Sequence, residues 1–131
     1  MAKILIVEDE PIPRMILNKI LTRDGHDVRV AATAGEAVDI GSAFNPEILI
    51  ADWLLTDVNS GLSVAEKLRE LNPRLHILFF TGLPTHKLET EAQHLQPFRF
   101  LEKPCEFDTL RAAIQEVLSD GNPSGASASN N

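Results

Sequence analysis

The sequence predicts an α/β domain of (βα)5 form, a doubly wound five-stranded parallel sheet in the order 2-1-3-4-5. Two observations carry this reading. Short apolar runs recur at Ile4–Val7, Val28–Ala31, Ile48–Ala51, Leu75–Phe80 and Phe98–Leu101, and helix-length segments separate them. The runs are continuous rather than alternating, the pattern of strands covered on both faces of a parallel sheet. Right-handed crossovers then fold five such units into a doubly wound sheet, for which 2-1-3-4-5 is a common order.

Each intervening segment supports a helix in its own way. Residues 10–23 place Ile12, Met15, Ile16, Lys19, Ile20 and Leu21 at near-helical spacing. Pro11 and Pro13 are tolerated in a first turn, and Gly25 is a stop. Thr33-Ala34-Gly35-Glu36 opens residues 34–43 with a capping-box pattern, in which Thr33 and Glu36 satisfy each other's free amides. Residues 62–71 carry Leu62, Ala65, Leu68 and Leu71 on one face and end at Asn72-Pro73. Residues 85–94 are polar with few apolar anchors, the weakest pattern of the five. Residues 106–118 present Phe107, Leu110, Ile114, Val117 and Leu118. The domain is expected over 1–119. Residues 120–131, rich in Ser, Gly and Asn, read as a disordered tail or linker.

Composition narrows the function. The chain has 131 residues, 44% of them hydrophobic, enough for one core. A net charge of −7 disfavours both nucleic acid and anionic membrane surfaces as partners. Cys105 is the sole cysteine, so no internal disulfide forms; with no signal or membrane segment in view, a cytoplasmic location is expected. The thiol reads as inert. His26, His76, His86 and His94 show no zinc spacing and read as surface or structural residues.

The informative residues follow the apolar runs: Glu8-Asp9 after the first, Asp52 after the third, Thr81 after the fourth, Lys103-Pro104 after the fifth. In an open parallel sheet these ends face one crevice, and ligands bind where the strand order reverses, here between strands one and three. Taken singly, each residue has a plain structural reading as a strand end, a helix cap or a solvated charge. Together, three carboxylates in one crevice need compensation, which a hard cation such as Mg²⁺ supplies. A carboxylate nucleophile, a metal, a lysine and a hydroxyl are the parts that stabilise a transferring phosphoryl group.

The segments ILIVEDE, ILIADW, ILFFTG and FRFLEKP resemble those of the receiver domains of two-component response regulators, and the spacings of Asp9, Asp52, Thr81 and Lys103 match as well. The likeness covers residues 3 to about 118. It implies the flavodoxin-like receiver fold and a signalling domain rather than an enzyme. Asp52 would accept a phosphoryl group from a histidine kinase or histidine phosphotransfer protein. Asp9 would be the main ligand of Mg²⁺ or Mn²⁺, with Asp52, Glu8 and the Leu54 backbone carbonyl completing the set. Lys103 would contact the phosphoryl group, Thr81 would move to hydrogen-bond it, and Phe100 would be the switch aromatic coupled to Thr81. Phosphorylation would then change the surface of the fourth helix, fifth strand and fifth helix, which controls a downstream protein target and offers a homodimer contact. Pro104 occupies the family's usual cis-peptide position. Trp53 is expected as a partly exposed aromatic near the metal.

Thr56 stands where many receivers carry proline, and the turn from Leu54 to Gly61 looks one residue longer. Both bear on partner docking or phosphoryl lifetime rather than on phosphorylation, since the metal contact at Leu54 is through backbone. Three rivals remain in view. An aspartyl-phosphate phosphatase wants a second acid two residues after the nucleophile, where Leu54 stands. A flavodoxin-like cofactor carrier wants a Ser/Thr/Gly-rich loop in place of Glu8-Asp9-Glu10-Pro11. A receiver-like interaction module independent of phosphorylation would not need the full set of acids, Thr81 and Lys103. No output domain is read in these residues, and Met1 opening directly into strand one favours a single-domain regulator.

Overall fold

The computed structural model of the chain describes residues 2–55, 61–82 and 85–120. Strands β1 (Lys3–Val7), β2 (Asp27–Ala31), β3 (Ile48–Asp52), β4 (His76–Thr81) and β5 (Arg99–Glu102) form one sheet in the order β2-β1-β3-β4-β5. Every pairing is parallel. Helices α1 (Pro11–Arg23), α2 (Ala34–Phe44), α3 (Gly61–Leu71), α4 (Thr85–Ala92) and α5 (Phe107–Asp120) alternate with the strands, and a 3₁₀ turn at Gln93–Leu95 follows α4. The predicted architecture and strand order are those observed. The expected tail beyond Asp120 and positions 56–60 of the loop after β3 lie outside the described residues.

Strand alternation divides the core in two. Leu5, Val7, Leu49, Ala51, Ile77 and Phe79 face α2 and α3, while Ile4, Ile6, Ile48, Ile50, Leu78 and Phe80 face α1 and α5. Successive side chains on a strand point to opposite faces, so an apolar residue at every position serves both layers at once. The helices close by local rules. Thr33 Oγ1 accepts the Glu36 N–H at 3.1 Å, as the capping pattern requires. The Glu36 carboxylate, however, takes the Ala32 N–H at 2.7 Å. Gly25, at φ +97°, turns the chain out of α1 toward β2.

Three helices leave apolar residues exposed that the helical spacing had placed on a buried face. In α1 the buried residues are Leu17 and Leu21, whereas Ile12, Met15 and Ile16 are exposed. Ile12 and Ile16 line a surface cavity with Phe80, Cys105 and Phe107. Leu71, the last residue of α3, and Phe107, the first of α5, are exposed as well.

Gly61 sets how closely α3 approaches the end of β3. Its N–H donates to the Trp53 carbonyl at 3.0 Å, and a Cβ at this position would stand 2.1 Å from the Asp52 carbonyl oxygen. That obstruction is backbone and cannot swing aside. Gly61→Ala is therefore expected to lose about 1–3 kcal/mol of stability, outweighing any gain in helix propensity, as read from urea unfolding midpoints.

Candidate functional site

Register brings the acids together. Ile6 pairs with Ile50 and Val7 with Ala51, so the next residues on these neighbouring strands are Glu8 and Asp52. Asp9 follows as the chain leaves the sheet for α1. Ligand oxygens of Glu8, Asp9 and Asp52 lie within 4.8 Å of one another. Glu8 and Asp52 are buried, at 3% and 7% exposure. From the other side of β3, Thr81 pairs with Glu102, which places Lys103 one step beyond the ladder. The Lys103 N–H donates to the Thr81 carbonyl at 2.8 Å, holding the segment against β4 before the cis Lys103-Pro104 bond.

The Lys103 ammonium sits astride the Asp52 carboxylate, with Nζ 2.8 Å from Oδ1 and 2.9 Å from Oδ2, and 3.8 Å from Glu8 Oε1. A cavity of about 230 Å³ opens beside them, bordered by Asp9, Asp52, Leu54, Thr81 and Lys103. Every predicted polar site residue thus meets at one crevice. Leu54 borders it with an exposed side chain.

Burial and crowding disturb the protonation of these groups. Desolvation pushes the Glu8 carboxyl up to about 7, and the Asp52 charge adds to this, against the opposing pull of the Glu10 N–H and Lys103. Asp52 is also raised, first by burial and then by Asp9, with Lys103 and Glu8 counteracting. Burial would lower the Lys103 ammonium, but the hydrogen bond and charge of Asp52, with Glu8 and Glu10, outweigh it and raise the pKa.

Trp53 corrects an expectation. It is 4% exposed, not a partly exposed loop residue. The alternation of β3 continues one residue past the strand, so Trp53 follows Leu49 and Ala51 into the layer facing α2 and α3. Its ring meets Phe79 edge-on at 5.1 Å and Phe100 at 5.6 Å. Phe100 packs in turn on Phe79 and Phe98, at 5.6 and 5.2 Å, so it points inward.

One residue at the site had no signal in the motif pattern. The Arg14 guanidinium donates to the Glu8 carbonyl at 2.9 Å and contacts the Asp9 carbonyl at 3.4 Å. Its position one turn into α1, amid apolar residues and just after an acidic turn, was the only sequence trace of this.

The profile of the family described as the response regulator receiver domain matches residues 4–115. The chain belongs to this family. It is 23% identical to sporulation initiation phosphotransferase F of Bacillus subtilis over 116 residues, 88% of this chain and 93% of that protein. It is 34% identical to the phyllosphere-induced regulator PhyR of Methylorubrum extorquens over 118 residues, 88% of this chain but 43% of the regulator. Among solved structures, the chemotaxis protein CheY4 of Vibrio cholerae superposes with a TM-score of 0.81 at 25% identity, covering 89% of this chain and 98% of that one. The chain thus spans nearly all of two of these proteins, yet only 24 to 52% of the other leading curated regulators it matches. Receiver domains are signalling domains of two-component systems that work with histidine kinases or phosphotransfer proteins and with downstream effectors, and they bind Mg²⁺ at an acidic pocket of this kind. Among the described residues, no helix is long and apolar enough to cross a membrane.

The raised Glu8 carboxyl makes stability depend on pH with a definite sign. Unfolding returns it to its ordinary 4.5, so between 4.5 and about 7 the folded chain holds a proton that the unfolded chain has released. Stability from this group is full below that window and is lost as pH rises through it. The difference in thermal midpoint between metal-free wild type and Glu8→Gln, which isolates this group, should fall as pH rises from about 5 to about 7 and then level.

Proposed function

We propose that this receiver domain takes a phosphoryl group on Asp52 from the phosphohistidine of a kinase or phosphotransfer protein, and that the modification alters the surface of α4, β5 and α5. The supporting observation is the Lys103 ammonium astride Asp52 within the cluster formed with Glu8 and Asp9. The donor set fits a hard divalent cation: three carboxylates converge, with Lys103 contacting two of them. Glu8, Asp9, Asp52 and the Leu54 carbonyl would hold Mg²⁺ or Mn²⁺, whose charge offsets that of the phosphoryl oxygens.

In the transfer, an Asp52 carboxylate oxygen forms the new P–O bond while the P–N bond to the donor imidazole breaks. The electron pair stays with the imidazole, which takes up a proton from solvent. Lys103 already contacts both Asp52 oxygens, so it needs to travel little to meet a phosphoryl oxygen. Thr81 borders the same cavity and supplies a hydroxyl donor. Its movement toward the new group would free volume next to Phe100 in the adjacent strand, carrying the change to β5 and the flanking helices. The readout is a protein target, with pairing of two copies through the same surface as a second use of it. Neither nucleic acid nor membrane enters this reading.

Intact mass after treatment with acetyl phosphate and Mg²⁺ tests it. Wild type should gain one phosphoryl group, Asp52→Asn none, and Lys103→Ala should react more slowly by about 100-fold. A wild-type chain that gains no mass, while still binding a partner, would leave the phosphorylation-independent module as the better account.

A further inference from the structure

We infer that Arg14 is a positioning residue for the cation site, holding the Glu8-Asp9 turn in the geometry that aims both carboxylates at Asp52. This rests on the reading of that cluster as a Mg²⁺ site.

The turn lies between the end of the sheet ladder and a helix start that offers it few amide donors. β1 pairs on both sides as far as Val7, and the Glu8 N–H still reaches the Ala31 carbonyl at 3.1 Å. Beyond that point the carbonyls of Glu8 and Asp9 have left the ladder. The N-terminus of α1 gives the turn weak support, because Glu10 makes no side-chain cap and Pro11 and Pro13 have no N–H to donate. Arg14 meets the deficit from within the helix. Its backbone N–H closes the first turn onto the Glu10 carbonyl at 3.2 Å, and its guanidinium reaches back to the Glu8 and Asp9 carbonyls. The Glu8 carboxylate is tied in the same turn by the Glu10 N–H, 3.1 Å from Oε2. A single guanidinium nitrogen, Nη1, therefore connects the helix to the carbonyls of both candidate ligands. Groups that orient metal ligands in this way typically govern affinity by about 10- to 100-fold, on the order seen when they are removed.

The two roles open to a cation here have opposite signs. Were Arg14 only a nearby charge, its loss would make the pocket more negative and tighten cation binding. If it positions the ligands, its loss weakens binding. Calorimetric titration of the full chain with Mg²⁺ separates the two, using wild type, Arg14→Ala, Arg14→Lys and, as a charge-loss control on the exposed side of the same helix, Lys19→Ala. Arg14→Ala should raise the Mg²⁺ Kd by about 10-fold or more, Arg14→Lys should recover part of the affinity through one donor, and Lys19→Ala should leave it at or slightly below the wild-type Kd. Unchanged or tighter binding in Arg14→Ala overturns the inference while the cation site stands. Should Arg14→Ala not fold, Arg14→Lys decides: a wild-type Kd in that variant also overturns it. A wild-type chain that binds no Mg²⁺ instead removes the cation site itself, and this inference with it.

Discussion

Crowding of carboxylates at the ends of two adjacent strands is the constraint around which the rest of this structure is arranged. Parallel register sets Glu8 beside Asp52 with Asp9 a step away, and the sheet buries two of the three. Buried like charges at this spacing are unfavourable unless a proton, a cation or a lysine offsets them. The fold supplies the lysine from two strands away, through the β4–β5 ladder and the hydrogen bond from the Lys103 N–H to the Thr81 carbonyl. The remaining imbalance shows in the raised carboxyls of Glu8 and Asp52. An added cation would relieve the same strain, so the features that destabilise the metal-free pocket are those that would favour filling it.

The two-sided sheet also divides labour. Glu8, Asp52 and Lys103 continue the alternation of Ile6, Ile50 and Leu101, which lie on the side of α1 and α5. Trp53, Phe79 and Phe100 belong to the opposite layer. Trp53 directly follows Asp52 in the chain and lies on the opposite side of the sheet from it. Its backbone N–H bonds the Phe80 carbonyl at 2.8 Å, while its ring packs on Phe79 and Phe100.

Much of this was legible in the sequence because apolar runs and strand-end polar residues are local signals. Continuous runs identify doubly covered strands without knowledge of their partners, and the acids, Thr81 and Lys103 each follow closely after one. Less legible were features that depend on what stands opposite. The apolar residues of α1 had helical spacing, but Ile12, Met15 and Ile16 remain exposed. Arg14 gave no signal in the sequence, because its targets are backbone carbonyls and carry no sequence identity.

By itself, then, the sequence determined the order of elements, the parallel sheet and the set of polar residues at its C-terminal edge, since each follows from periodicity and neighbours within a few positions. Tertiary structure alone decided the facing of Trp53, the placement of Lys103 across both Asp52 oxygens, and the reach of Arg14 back over the β1–α1 turn. Those depend on inter-strand register and on how far each helix extends past the sheet, distances that no local pattern encodes.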